Sequence, residues 1–381
     1  MAWNRVVGQE RVKTLLQKAI IENRIAHSYC FWGEEGVGKE ALAIEFAKTV
    51  NCSSPQIEGS AINACGKCSS CLSAESLQHP NISMVFALPA GKGSDSSDSP
   101  LARLSDEQIN NIQEQIAHKA NNYYHKIVIP NATQIKIASI RELKKQLSFA
   151  SQHEGRRVII ISNADDMTTE SANAFLKTLE EPNDNVTIIM TTSRREAILP
   201  TILSRCQQVR CEPLSDDEVI EVLVNVYNYP PEKVRLITAF AQGSITRAQD
   251  FMDDEIQLLR EEVINILRIS LKKKIYRNEL TEAINEITKE KDKNKVEIFL
   301  TLLLIWFRDV IALSRTGSAD TIINADQIDT LKKFVDAYAK YELNNCIISI
   351  EKSFTRLSRN VSPQLFLLSL YLSLRATLTG R

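Results

Sequence analysis

The sequence predicts an α/β domain on a parallel sheet, followed by helices to its end. Three observations carry this. An apolar strand pattern, Ile25 to Trp32, runs into the glycine loop Gly33-Glu34-Glu35-Gly36-Val37-Gly38-Lys39 and then into a helix pattern from Glu40 to Val50. Further apolar runs, Met84 to Leu88, Val158 to Ile161, Val186 to Met190 and Val209 to Cys211, alternate with segments of helical spacing. That alternation is the signature of a parallel sheet covered on both faces. After Pro213 the strand patterns stop.

Taken in order, residues 10 to 24 read as a helix, and the strand, glycine loop and second helix follow. A strand, a glycine loop and a helix N-terminus in succession form a phosphate cradle, because main-chain N–H groups face the anion and a lysine adds charge. Cys52 to Cys71 makes a small excursion, and the polar stretch 89–100 reads as a surface loop. Ile137, Ile140, Leu143 and Leu147 share one helical face. Arg156-Arg157 precedes the strand Val158 to Ile161, and a helix from Thr169 to Leu179 ends at Glu180-Glu181-Pro182. The strand at Val186 leads to Thr191-Thr192, and a short helix, Leu199 to Ser204, precedes Arg205-Cys206. Ser215-Asp216-Asp217-Glu218 is a helix start with acidic residues at the positive end of the dipole. Pro230-Pro231-Glu232 and Gln242-Gly243-Ser244 open two more helices. The expected domains are 1–212, an α/β phosphate-loop domain with a cysteine module at 52–71, then 213–253, a small helical lid, and 254–381, an all-helical domain.

A chain of 381 residues can bury a substantial core in two or three domains. Its net charge of -1 supplies no overall field for nucleic acid. No signal-peptide pattern is visible, and the apolar stretch Ile298 to Ala312 carries Arg308-Asp309, so buried helices rather than membrane spans are expected. Four of the eight cysteines are scattered, which suits a reducing cytoplasm better than a disulfide framework. The five histidines have no paired spacing, and no nucleophile motif is present.

The other four cysteines, Cys52, Cys65, Cys68 and Cys71, read C-x12-C-x2-C-x2-C. Four thiolates close a tetrahedral zinc site and leave no open position for catalysis, so a structural zinc is expected. The phosphate loop departs from its full pattern, in which Lys is followed by a Ser or Thr that reaches Mg²⁺. Glu40 stands at that place, and Ser162-Asn163 stands where the strand after Arg157 would deliver an acidic pair. Asp165 and Asp166 fall in the loop beyond the strand tip. Phosphoryl transfer without these groups loses its positioning and charge neutralisation.

Val7-Gly8-Gln9, Ala26-His27-Ser28-Tyr29, the cysteine insert, Asn173 to Pro182 and Leu203-Ser204-Arg205-Cys206 occur in this order. Together they resemble the bacterial DNA polymerase III clamp-loader subunits, which are of the AAA+ class. The resemblance spans residues 7 to 248. In that family the gamma or tau motor subunit keeps an intact loop and acidic pair, whereas the delta-prime type has damaged versions of both and keeps the Ser-Arg-Cys motif. With Glu40 and Ser162-Asn163, and with no polymerase-binding extension after its third domain, this sequence is similar to the delta-prime type.

The resemblance implies an AAA+ domain, a lid and a helical collar that joins subunits. It implies a cytoplasmic, hetero-oligomeric ring with gamma/tau and delta, which opens a sliding clamp and releases it on primer-template DNA. Arg205 would reach a neighbour's ATP as an arginine finger, a task a planar, always charged guanidinium suits; its other reading is a surface arginine paired with a nearby carboxylate. Its own ATPase would be defective, with ATP and Mg²⁺ held weakly or not at all by Gly33, Gly36, Gly38, Lys39, Thr192 and Arg247. Arg247 has two readings, a nucleotide sensor or a residue paired within the lid. Thr192 likewise reads as a γ-phosphate probe or a buried strand-end residue. The run Lys272-Lys273-Lys274 with Arg277 reads as a solvated helix face. Two alternatives stand beside this reading. One is an active gamma/tau-like motor with unusual metal ligation, and the other is a zinc-containing DNA-binding module.

Overall fold

The computed structural model describes residues 3, 5–89, 99–148, 154–181, 184–230, 234, 237–238, 241–251, 254–274, 276–289, 293–318, 322–358 and 361–380. Residues 90–98 of the expected loop 89–100 and residues 231–232 of the expected helix start at 230–232 lie outside them. The chain divides into two compact units, one of 1–229 with 241–247 and one of 230–240 with 248–381. The segment 213–253, expected as a lid, is therefore shared between the two.

In the first unit, β1 (Ser28–Trp32), β4 (Ile82–Val85), β5 (Arg157–Ile161), β6 (Val186–Thr192) and β7 (Gln207–Arg210) form one sheet in the order β4-β5-β6-β1-β7. All its pairings are parallel. β6 is buried throughout, as is Val158–Ile161 of β5. Continuous apolar runs of this kind fit strands covered on both faces. Helices α1 (Glu10–Ile21), α2 (Lys39–Val50), α3 (Ser69–Glu75), α4 (Asp106–Asn121), α5 (Ile137–Ser148), α6 (Thr169–Glu180), α7 (Pro200–Leu203) and α8 (Asp216–Asn225) accompany the sheet. Ile140, Leu143, Phe175 and Leu179 pack with Ile159, Ile161 and Met190 in one core cluster. Tyr29 of β1 meets Phe46 of α2 edge-on, with ring centroids 5.9 Å apart.

Register determines where the site forms. Trp32 lies opposite Thr192 on β6 and opposite Arg210 on β7, and Ile161 lies opposite Met190. The C-terminal ends of β1, β5 and β6 are thus nearly level. The glycine loop, Ser162 and Thr192 converge on one edge of the sheet, where parallel α/β folds place their ligands. A separate hairpin, β2 (Gln56–Glu58) with β3 (Ala61–Asn63), carries the cysteine excursion.

The α8 start is a capping box: Ser215 Oγ accepts from Glu218 N, and the Glu218 carboxylate accepts from Ser215 N. The same device starts α4, where Ser105 pairs with Gln108. The expected strand Met84–Leu88 begins at Ile82 and ends at Val85. Phe86 and Leu88 instead pack with Leu104, Ile112 and Ile129 in a small cluster under α4.

A short helix, α9 (Ile245–Asp250), begins in the first unit. The second unit contains α10 (Asp254–Ser270), α11 (Tyr276–Thr288), α12 (Lys293–Thr316), α13 (Ile328–Tyr338), α14 (Leu343–Ser358) and α15 (Pro363–Thr379). The long α12 packs on α10, α13 and α14. Trp306 meets Phe334 edge-on at 4.6 Å between centroids. Of the two charges expected inside this apolar helix, Arg308 points to solvent and Asp309 is buried. Asp309 accepts hydrogen bonds from Ile323 N (3.1 Å), Asn324 N (2.8 Å) and Asn324 Nδ2 (2.7 Å), so its charge is solvated by a loop rather than by water. Among the described residues no helix is long and apolar enough to cross a membrane.

Candidate functional site

The loop between β1 and α2 has the backbone of a phosphate cradle. Gly36 (φ 77°) and Gly38 (φ 92°) are in the left-handed region. A Cβ on Gly36 would lie 2.6 Å from Thr246 N, so this glycine permits a close backbone approach as well as a turn. Gln9 holds the loop from outside, its Nε2 donating to Val37 O (3.1 Å) and Glu212 O (2.6 Å). The Gly8-Gln9 motif is thus a clasp on the loop.

The loop's charges are paired within the chain. Lys39 is buried, and its Nζ donates to Gly33 O (2.8 Å) and Glu34 O. Burial lowers its pKa, and nearby acidic groups only partly offset this. Arg247 reaches Glu34 at 3.4 Å, and Lys126 pairs with Glu35. Glu40 pairs with Lys119 of α4, whose side chain is only 2% exposed. Lys119 also donates to His125 O at 2.7 Å. Burial alone would raise the Glu40 carboxyl. The Lys119 ammonium, by charge and by hydrogen bond, outweighs it with help from Lys39, so Glu40 titrates below its ordinary range. Gly36, Gly38, Lys39, Glu40, Lys119 and Ser162 line one cavity of about 280 Å³.

At the strand ends, Ser162 lies next to Glu40, and Asn163 adopts a left-handed conformation (φ 49°). Asp165, nearly buried, accepts from Thr192 Oγ1 (2.7 Å) and from Arg194 Nε (2.7 Å). Arg194 also reaches Asp166 at 3.2 Å, while burial and Asp165 raise the Asp166 carboxyl. Both Asp165 and Thr192 are therefore engaged with each other. Thr192 is fully buried, and its neighbour Thr191 lines the cavity.

Arg205 lies at the other end of the sheet. Ser28 Oγ, at the start of β1, donates to Arg205 O at 2.7 Å, whereas the glycine loop follows Trp32 at the end of that strand. Four residue steps separate the ends, roughly 13 Å by strand rise. The Arg205 guanidinium donates to Glu180 Oε1 (2.8 Å) and Thr201 O (2.9 Å) and is 36% exposed. An exposed pair of this kind is worth at most about 1 kcal/mol and exchanges readily for another anion.

The four cysteine sulfurs lie within 4.8 Å of one another. Cys65 Sγ and Cys71 Sγ are 3.9 Å apart, against about 3.8 Å for the edge of a tetrahedron with metal–sulfur bonds of about 2.3 Å. Backbone N–H groups of Cys65, Cys68 and Cys71 point at the sulfurs of Cys52, Cys65 and Cys68 respectively. Gly66 (φ 68°) makes the knuckle turn. Burial would raise the Cys68 thiol, but N–H donors from Cys71 and Ser53 and the neighbouring thiols bring it to about 6. The donor set, its spacing and its N–H···S bonds fit a metal held by four thiolates.

A family model described as DNA polymerase III, delta subunit, matches residues 8–215, more than half of the chain. The chain belongs to this family. Relatives are of the same kind. The DNA polymerase III subunit delta' of Bacillus subtilis is 26% identical over 361 residues, covering 93% of each chain. The delta' subunit of Pseudomonas aeruginosa is 26% identical, over 74% of this chain and 70% of its own. The tau/gamma subunit of Haemophilus influenzae is 28% identical over 68% of this chain and only 32% of its own length.

Within this DNA polymerase III family member, Lys119 and Lys126 are the site residues that motif reading missed. The helix bearing Lys119 has a legible start, Ser105-Asp106-Glu107-Gln108, followed by Ile109, Ile112 and Ile116 at helical spacing. Nothing in the sequence tells that its last turn folds back to Glu40, some eighty residues away.

Proposed function

We propose that this chain is the clamp-loader subunit that completes a neighbour's ATP site without running one of its own. Relatives of the delta' and gamma/tau kinds support the clamp-loader role. The observation that carries the finer reading is Arg205. It is partly exposed, held by an ion pair with Glu180, and at the end of β1 remote from its own loop, which favours a role in trans. Arginine fingers supplied in trans are worth about 10³ to 10⁵ in rate.

The cis site supports the same division of labour. Glu40 replaces the metal-binding hydroxyl and is taken by Lys119, and Ser162 replaces a strand-end carboxylate. Asp165 is engaged by Thr192 and Arg194. That pairing speaks against a gamma/tau-like motor that would use Asp165 for Mg²⁺. Zinc at Cys52, Cys65, Cys68 and Cys71 would stabilise the insert and take no part in turnover. Segment 213–253 would serve as the lid. The helices after 254 would join this chain to gamma/tau and delta in a cytoplasmic ring acting on the sliding clamp and primed DNA. The test is ATP turnover by the assembled complex with Arg205→Ala. A loss of about 10³-fold at the adjoining site is expected, and unchanged turnover would refute the role.

A further inference from the structure

The paired charges around Glu40 raise the question of what the 280 Å³ cavity can hold. In a working phosphate loop the anion meets a lysine and a divalent cation, and the cation is held by a hydroxyl and strand-end carboxylates. Here both metal-facing positions have changed together. Glu40 and Ser162 line the same cavity, and Glu40 is paired with the Lys119 ammonium. That ammonium is fixed by Glu40 on one side and by His125 O on the other.

The charge count of the loop lysine and the metal-facing positions is preserved. A lysine, a divalent ion and two carboxylates leave one net positive charge beside the phosphates. Lys39, Lys119 and the single carboxylate of Glu40 leave one as well. Of the other charged residues nearby, Lys126 pairs with Glu35, while Arg194 is shared between Asp165 and Asp166 and leaves one negative charge at the strand end. The backbone donors are intact, because α2 is a twelve-residue helix that opens at Gly38 with no side-chain cap on its first N–H groups. A diphosphate group brings several acceptor oxygens for those donors. A magnesium ion would instead have to displace Lys119 from its carboxylate.

We propose that the glycine loop, Lys39 and Lys119 form a metal-independent site for a diphosphate group, with the Lys119 ammonium in the role of the divalent cation. This rests on reading 33–39 as a phosphate loop whose metal set is lost. On binding, Lys39 exchanges the carbonyls of Gly33 and Glu34 for phosphate oxygens. Lys119 keeps Glu40 and adds a charge-assisted bond to the anion. The site then binds without hydrolysing, since its strand end carries Ser162-Asn163 in place of an acidic pair.

The full-length chain is titrated with ADP and with pyrophosphate by calorimetry, in EDTA and in Mg²⁺. The expected result is saturable binding that Mg²⁺ does not strengthen. ADP tighter than pyrophosphate assigns the site to a nucleotide, and equal affinities assign it to free diphosphate. Lys119→Gln should lose at least about tenfold in affinity, as expected for one charge-assisted bond. Lys119→Arg guards against a folding defect and should retain binding. The double variant Glu40→Thr with Ser162→Asp should become Mg²⁺-dependent. Absence of binding at millimolar anion, or tenfold tighter binding of the wild type in Mg²⁺, would overturn the proposal. A normal response of the complex to Arg205→Ala in the same preparation would leave the proposal for Arg205 standing.

Discussion

Removing Lys119 has a cost that can be worked from its surroundings. Lys119→Met deletes the ion pair with Glu40 and the 2.7 Å hydrogen bond to His125 O. The Glu40 side chain is 19% exposed and Lys119 2%, so the pair is mostly removed from water. Breaking a buried pair by deleting one partner costs about 3–5 kcal/mol, because the other charge is left uncompensated. Glu40 retains Lys39 and Ser162 as neighbours and some access to water, which places the expected loss near the lower end, about 3 kcal/mol. Glu40→Leu alone strands the ammonium and should cost a similar amount. Replacing both should cost much less than the two losses together, with a coupling of about 2 kcal/mol. Amide exchange by mass spectrometry reads this locally, as the opening free energy of α2 and α4. That choice avoids assigning one unfolding free energy to a chain of two units. Losses that add within about 0.5 kcal/mol would refute the pairing.

Other outcomes follow from the same geometry. The Glu40 pKa is depressed in the folded chain, so its contribution is fully present above the unfolded value of 4.5 and is lost as pH falls through the lower folded value. Exchange protection of α4 should therefore hold down to about pH 4.5 and fall below it, and the Glu40→Leu chain should lack that acid limb. The Cys65→Ser chain should lose stoichiometric zinc in a metal assay, and full retention would defeat the four-thiolate site. Asp309→Ala leaves Ile323 N, Asn324 N and Asn324 Nδ2 without their acceptor. A loss of at least about 2 kcal/mol in opening free energy at 322–327 is expected, and wild-type protection there would contradict it.

The sheet was legible because its strands are apolar runs bounded by glycine and polar residues, as in Val158 to Ile161. The phosphate loop was legible because its glycines and lysine are contiguous. The departures from the full phosphate-loop pattern could also be read, at Glu40 and Ser162. What filled the gap could not, since Lys119 is one lysine on an amphipathic helix and only tertiary packing brings it to Glu40. Strand limits shifted for a similar reason: Phe86 and Leu88 look like strand residues, but α4 offers them a separate apolar surface. Thr192 was legible as a strand-end residue, but its bond to Asp165 spans 27 positions and has no local signal.

The most direct measurement is ATP turnover by the assembled complex, stimulated by clamp and primed DNA, with wild-type chain and with Arg205→Ala. Assembly is checked first for both. The account predicts turnover at the adjoining site reduced by about 10³-fold or more in the variant. Equal rates in the two complexes would contradict it.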